Sequence, residues 1–178
     1  LFHNTLYIKG AGAFNESSAN FIGHRAAIEF FREKFGAASA EHQRALLLWE
    51  EEREFGAFVG EIARELTALY GGDLARADKL RLREEVFARS KAEWSRRIAD
   101  RPLHRFRGFS QQPLNNAVLM HYGVYLKDLD MFESLYEACD RNLRRTIGIM
   151  RKVVEQGEPF EAVRGWLDKA GDRATALR

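Results

Sequence analysis

Apolar side chains recur at helical spacing along most of the 178 residues. The clearest run is Leu48, Phe55, Val59, Ile62, Leu66 and Leu69, separated by threes, fours and sevens. That is the pattern of a helix with one buried stripe, and it predicts a long helix over 39–70, ended by Gly71 and Gly72. A second long helix is predicted over 73–98, with Leu80, Phe87 and Trp94 at intervals of seven and a stop before Pro102. The short connection between them makes the two antiparallel neighbours. Ahead of them, 15–35 reads as a helix with Asn15 as N-cap, Glu16 in its first turn and Gly36 at its end. Residues 101–113 form the longest irregular stretch, and a short apolar helix follows over 115–125. One further long helix is predicted over 130–156, where Phe132, Leu135, Cys139, Leu143, Ile147 and Met150 share a stripe. Pro159 suits the first turn of a last helix over 160–170, and the tail after Gly171 is expected to fray. The only strand candidate is Thr-Leu-Tyr-Ile-Lys at 5–9. The expected fold is therefore all-α, a single domain over 1–178 built as a bundle of about five or six helices, two long ones antiparallel.

Composition narrows the function classes. Apolar residues make up 46% of the chain, enough for one core at this length. Twenty-eight basic against 26 acidic residues leave a net charge of +2. So balanced a chain argues against a nucleic-acid partner, which needs basic residues gathered on one face. Charged runs such as Arg81-Leu82-Arg83-Glu84-Glu85 read as solvated helix faces. The single cysteine, Cys139, rules out an internal disulfide and lies on an apolar stripe, where it is expected to be buried and inert. No apolar run approaches the ~18 residues that span a bilayer. The first residue is Leu1 rather than methionine, which reads as a processed or truncated start and leaves targeting unreadable.

Chemistry concentrates near the start. His3 and Glu16 are a nitrogen and an oxygen donor joined through a turn containing Gly10 and Gly12. Catalytic zinc commonly takes two histidines and a glutamate and keeps its fourth position for water. On spacing alone the pair is open to either reading, since a terminal histidine and a first-turn carboxylate are also ordinary surface and dipole-favoured groups.

The motif around the pair adds to this. Leu6-Tyr7-Ile8-Lys9 and Phe14-Asn15-Glu16-Ser17-Ser18-Ala19 resemble segments of the bacterial predicted zinc aminopeptidase family. Its members carry His-Glu-x-x-His, then Leu-Tyr-x-Lys, then Phe-Asn-Glu-Ser and a small residue. Leu1-Phe2-His3 falls where the last three residues of His-Glu-x-x-His belong, and Gln112-Pro113-Leu114-Asn115-Asn116-Ala117 resembles a downstream segment of the same family. The resemblance implies that His3 is the second histidine ligand of a zinc ion and Glu16 the third protein ligand. It places the first histidine and the general-base glutamate upstream of Leu1, so that this chain is the C-terminal helical part of a metallopeptidase and is inactive alone. It also implies a peptide substrate and a location in the bacterial periplasm or cell envelope.

Other residues keep two readings each. Tyr7 either stabilises an oxyanion or packs in the core, the latter preferred. Asn20, one turn after Glu16, either hydrogen-bonds a metal ligand or is a plain polar position. Asn115 and Asn116 either grip substrate or cap the helix that follows. His121 either faces the cleft or is a partly buried histidine. His24, His42 and His104 have no spacing that suggests metal. The rival to a peptidase is a non-catalytic helical interaction module, whose uncovered apolar faces would promote self-association.

Overall fold

The computed structural model describes the chain from Phe2 to Ala176, with side chains described up to residue 171. Leu1, the first residue matched to the zinc motif, lies outside the described residues. Among the described residues seven α-helices follow in order: α1 (Gly12–Phe35), α2 (Ala40–Gly71), α3 (Arg76–Arg97), α4 (Asn116–Tyr125), α5 (Leu129–Ala138), α6 (Leu143–Val153) and α7 (Pro159–Ala176). Short 3-10 turns occupy Phe2–Asn4, Arg107–Ser110 and Val154–Gln156. The all-α expectation holds, and among the described residues there is no strand, so 5–9 is irregular chain rather than a β-segment. No described helix is long and apolar enough to cross a membrane.

The long helices α2 and α3 run antiparallel. Arg97 pairs with Glu61, Arg89 with Glu65, and the Lys79 ammonium donates to the Tyr70 carbonyl, so partners descend on one helix as they ascend on the other. The apolar stripes lie where the spacing put them, with Phe55, Val59, Ile62, Leu66, Phe87 and Trp94 all buried. Leu80 stands exposed, in the first turns of α3 beside the short connection that closes the hairpin.

The helix expected over 130–156 is broken. Asp140 and Arg141 take left-handed backbone angles, and Asn142 then caps α6 by accepting the Arg145 N–H at 2.9 Å. The apolar stripe had hidden the break, because Phe132, Leu135, Cys139 and Met150 face the core on both sides of it. Two termini also differ. Helix α1 begins at Gly12, so Asn15 is inside the helix rather than its cap and Glu16 lies beyond the first turn. At the other end α7 stays helical to Ala176 instead of fraying after Gly171.

The stretch between α3 and α4 is irregular but tightly held, and α2 holds it. Glu54 pairs with Arg101, Glu51 accepts the Arg105 backbone N–H at 3.1 Å, and Glu52 pairs with the Arg105 guanidinium. Phe106 stacks on Phe55 with centroids 4.1 Å apart, while its carbonyl accepts from the Trp94 indole at 3.0 Å. Burying these rings supplies most of the attraction, and the carboxylates fix the register of the loop.

Close backbone approach brings α4 to the same place. A Cβ added at Gly56 of α2 would lie 2.7 Å from the Leu126 carbonyl oxygen, so only glycine lets the end of α4 come this near. The Ser17 hydroxyl of α1 completes the junction, donating to the Val124 carbonyl and accepting the Lys127 N–H, both at 3.0 Å. The end of α4 is thus fixed against one face of α1.

Candidate functional site

The segment before α1 buries Leu6 in the core and is clasped by a buried polar side chain of the helix. Asn15, 2% exposed, accepts the Ile8 N–H on its Oδ1 at 2.9 Å and donates from Nδ2 to the Ile8 carbonyl at 2.8 Å. The chain reverses between them through Gly10, whose φ of 85° lies in the left-handed region that favours glycine. This clasp folds the opening residues back on α1. His3 then lies beside the next residue of the helix, with its Nε2 3.7 Å from Glu16 Oε1 and 3.3 Å from the Asn15 carbonyl.

As an ion pair this contact is worth little. Its side chains are 39% and 33% exposed, and exposed pairs contribute about 0–1 kcal/mol. As a donor pair it lies somewhat wider than the spacing a metal needs. Tetrahedral zinc with bonds of about 2.0–2.2 Å to nitrogen and oxygen holds two donors roughly 3.3–3.5 Å apart, a few tenths of an ångström from the separation here. Among the described residues no group of three or more histidine, cysteine, aspartate or glutamate side chains is arranged to hold a metal. The pair supplies two donors and no more.

The same face of α1 continues into a cleft of about 270 Å³, whose lining includes Asn20, Glu52, Arg105, His121, Tyr122 and Tyr125. Its floor is charged. Glu52 is 3% exposed and accepts from Asn20 Nδ2 at 2.7 Å, from His24 Nε2 at 3.1 Å and from the Arg105 guanidinium. Burial pushes the Glu52 pKa up, but the His24, Asn20 and Arg105 contacts outweigh it and hold the carboxyl below its ordinary value. Asn20 also donates to the Tyr125 carbonyl at 3.2 Å, which ties the end of α4 to this floor.

The sequence candidates divide accordingly. His3 and Glu16 come together, and Asn20 and His121 line the adjoining cleft. Asn20 spends its amide on Glu52 and Tyr125 rather than on Glu16. His121 is exposed rather than partly buried, with its ring 5.3 Å from that of Tyr125. Tyr7 does not pack in the core: it is 66% exposed, with its ring edge-on to His3 at 6.2 Å. Asn115 caps α4 through the Val118 N–H at 2.9 Å, and Asn116 accepts from the Tyr70 hydroxyl at 2.9 Å. Both side chains have local structural partners, and neither lines the cleft.

Sequence reasoning missed Glu52, His24 and Arg105. A signal existed for the first: position 52 lies four after Leu48 and three before Phe55, so a carboxylate interrupts the apolar stripe of α2. A charge at a core position demands a partner. Nothing in the spacing reveals that Arg105, in an irregular loop, supplies it.

A family model described as "Putative aminopeptidase" matches residues 1–161. Comparison with curated proteins and with solved structures finds no match.

Proposed function

The chain belongs to the putative aminopeptidase family, and from that premise we propose that it forms part of a zinc-dependent peptidase in which His3 and Glu16 are two of the metal's protein ligands. The observation that carries this reading is the convergence of His3 Nε2 and Glu16 Oε1 to 3.7 Å across thirteen positions of sequence. Stability does not account for that convergence, whereas the buried Asn15 clasp that enforces it is built into the chain.

In this reading His3 offers the Nε2 lone pair of a neutral imidazole, and Glu16 offers a carboxylate oxygen from a rigid helix. Zinc, when bound, supplies Lewis acidity toward the peptide carbonyl and a water of lowered pKa. The remaining histidine and the glutamate that takes the water's proton are assigned to residues upstream of Leu1, following the family motif. The wall formed by Asn20, Arg105, His121 and Tyr125 lies one turn along α1 from Glu16 and receives the peptide. Release of the N-terminal residue, rather than internal cleavage, is the reading that the family's description favours.

The test is hydrolysis by the protein carrying its natural upstream residues. Trialanine is expected to lose its N-terminal residue in a reaction abolished by a chelator, restored by zinc, and lost in the His3→Ala and Glu16→Ala variants. Its N-acetylated form is expected to resist. Hydrolysis insensitive to chelation, or unchanged in both variants, would overturn the assignment.

A further inference from the structure

The cleft beside Glu16 presents its charge unevenly. Glu52 is almost fully buried and carries three donors, whereas the Arg105 side chain is 46% exposed. A guanidinium has five N–H donors in a planar fork. One terminal nitrogen of Arg105 is spent on Glu52, and among the described residues no protein acceptor takes its Nε or its other terminal nitrogen. Phe106 lies against the same guanidinium, 5.5 Å from ring centroid to Cζ. The group is therefore anchored by a buried carboxylate, flanked by a ring, and left with unused donors at the cleft.

These features decide between two ligands. A substrate amine would meet the Arg105 cation before the enclosed Glu52, and like charges repel. A carboxylate would meet unused N–H donors already held in place, and bidentate charge-assisted pairing is the strongest use of such a fork. Reach agrees with this. Asn20 is one helical turn, about 6 Å, along α1 from Glu16. Glu52 is one hydrogen bond beyond Asn20, and Arg105 one ion pair beyond Glu52. A peptide advances about 3.3–3.6 Å per residue, so a chain cleaved at His3 and Glu16 would reach Arg105 within roughly three or four residues.

We propose that Arg105, anchored by Glu52, binds a carboxylate on the leaving side of a short peptide, making peptides with an acidic group within a few residues of the scissile bond the preferred substrates. The direction of the peptide rests on the peptidase reading, while the carboxylate preference rests on the cleft alone. The carboxylate is the C-terminus of a short peptide or an acidic side chain, and the two sources are separable.

Calorimetric binding to the protein with its natural upstream residues tests this with trialanine, its C-terminal amide, and the amide of alanyl-alanyl-glutamate. At least one of trialanine and the glutamate peptide is expected to bind about tenfold or more tightly than trialanine amide, from the charge-assisted pairing alone. Whichever of trialanine and the glutamate peptide binds more tightly than trialanine amide shows the source, the C-terminus for the first and an acidic side chain for the second. Arg105→Gln combined with Glu52→Gln removes both charges and leaves none buried and unpaired. In that variant the preference for the carboxylate-bearing peptide should fall to within about twofold, while Arg105→Lys, keeping charge without the fork, should retain part of it. Equal binding of all three peptides by the unmodified protein, failure to bind any of them, or a preference that survives the double variant while thermal unfolding shows it folded, would overturn the proposal. Binding preference without hydrolysis would count against the peptidase reading only.

Discussion

At the scale of single residues, the Asn-Glu-Ser motif is three different jobs on consecutive positions of α1. Asn15 clasps Ile8, Glu16 faces His3, and Ser17 bridges Val124 and Lys127. Removing the Asn15 amide leaves an N–H and a carbonyl of Ile8 without their partner, so Asn15→Ala should destabilise the chain by about 1–3 kcal/mol in urea unfolding. It should also weaken any metal at His3 while leaving that residue intact. A variant of unchanged stability would show that the clasp is dispensable. The motif was readable in the sequence, but the work of Asn15 was not. Asparagine before a helical run reads as an N-cap, and only the backward turn through Gly10 reveals that its amide spans seven residues instead.

At the scale of elements, the cleft exists because α2 admits close neighbours. Gly56→Ala would drive a methyl group against the Leu126 carbonyl, and displacing the end of α4 should cost about 1–3 kcal/mol, measurable as a lowered midpoint of chemical unfolding. The carboxylates that strap the loop predict a pH dependence. Hydrogen bonds from Arg101 hold Glu54 below its ordinary pKa, and the donors around Glu52 do the same against its burial. A carboxyl depressed in the folded state stabilises above its unfolded pKa, near 4.3, and loses that contribution as pH falls through the folded value. The Tm should therefore hold from pH 7 to about 5 and fall below about 4.3, less steeply in Glu54→Gln. Parallel curves for the two proteins would contradict the assignment. Helix type and the long α2–α3 hairpin were legible because apolar spacing over 39–98 is sustained. The break at Asp140 and Arg141 was not, because a stripe of constant direction reads the same whether or not the backbone turns between its halves.

At the scale of the whole molecule, α1 organises the chemistry. It carries Glu16, Asn20 and His24 on successive turns of one face; the pre-helical segment, α2 and the end of α4 each bring a partner to that line, and the loop before α4 reaches it through Glu52. The metal donors come from residues close in sequence, so a motif could point to them. The cleft is assembled from elements 30 to 100 positions apart, which is why Glu52 and Arg105 escaped a reading by spacing. The central claim is that His3 and Glu16 hold zinc. It is tested most directly by the metal content of the purified protein with its natural upstream residues, beside His3→Ala and Glu16→Ala. About one zinc per chain, lost in each variant while thermal unfolding shows both folded, is the expected result. No bound zinc, or zinc retained in both variants, would contradict it and leave a helical interaction module as the better description.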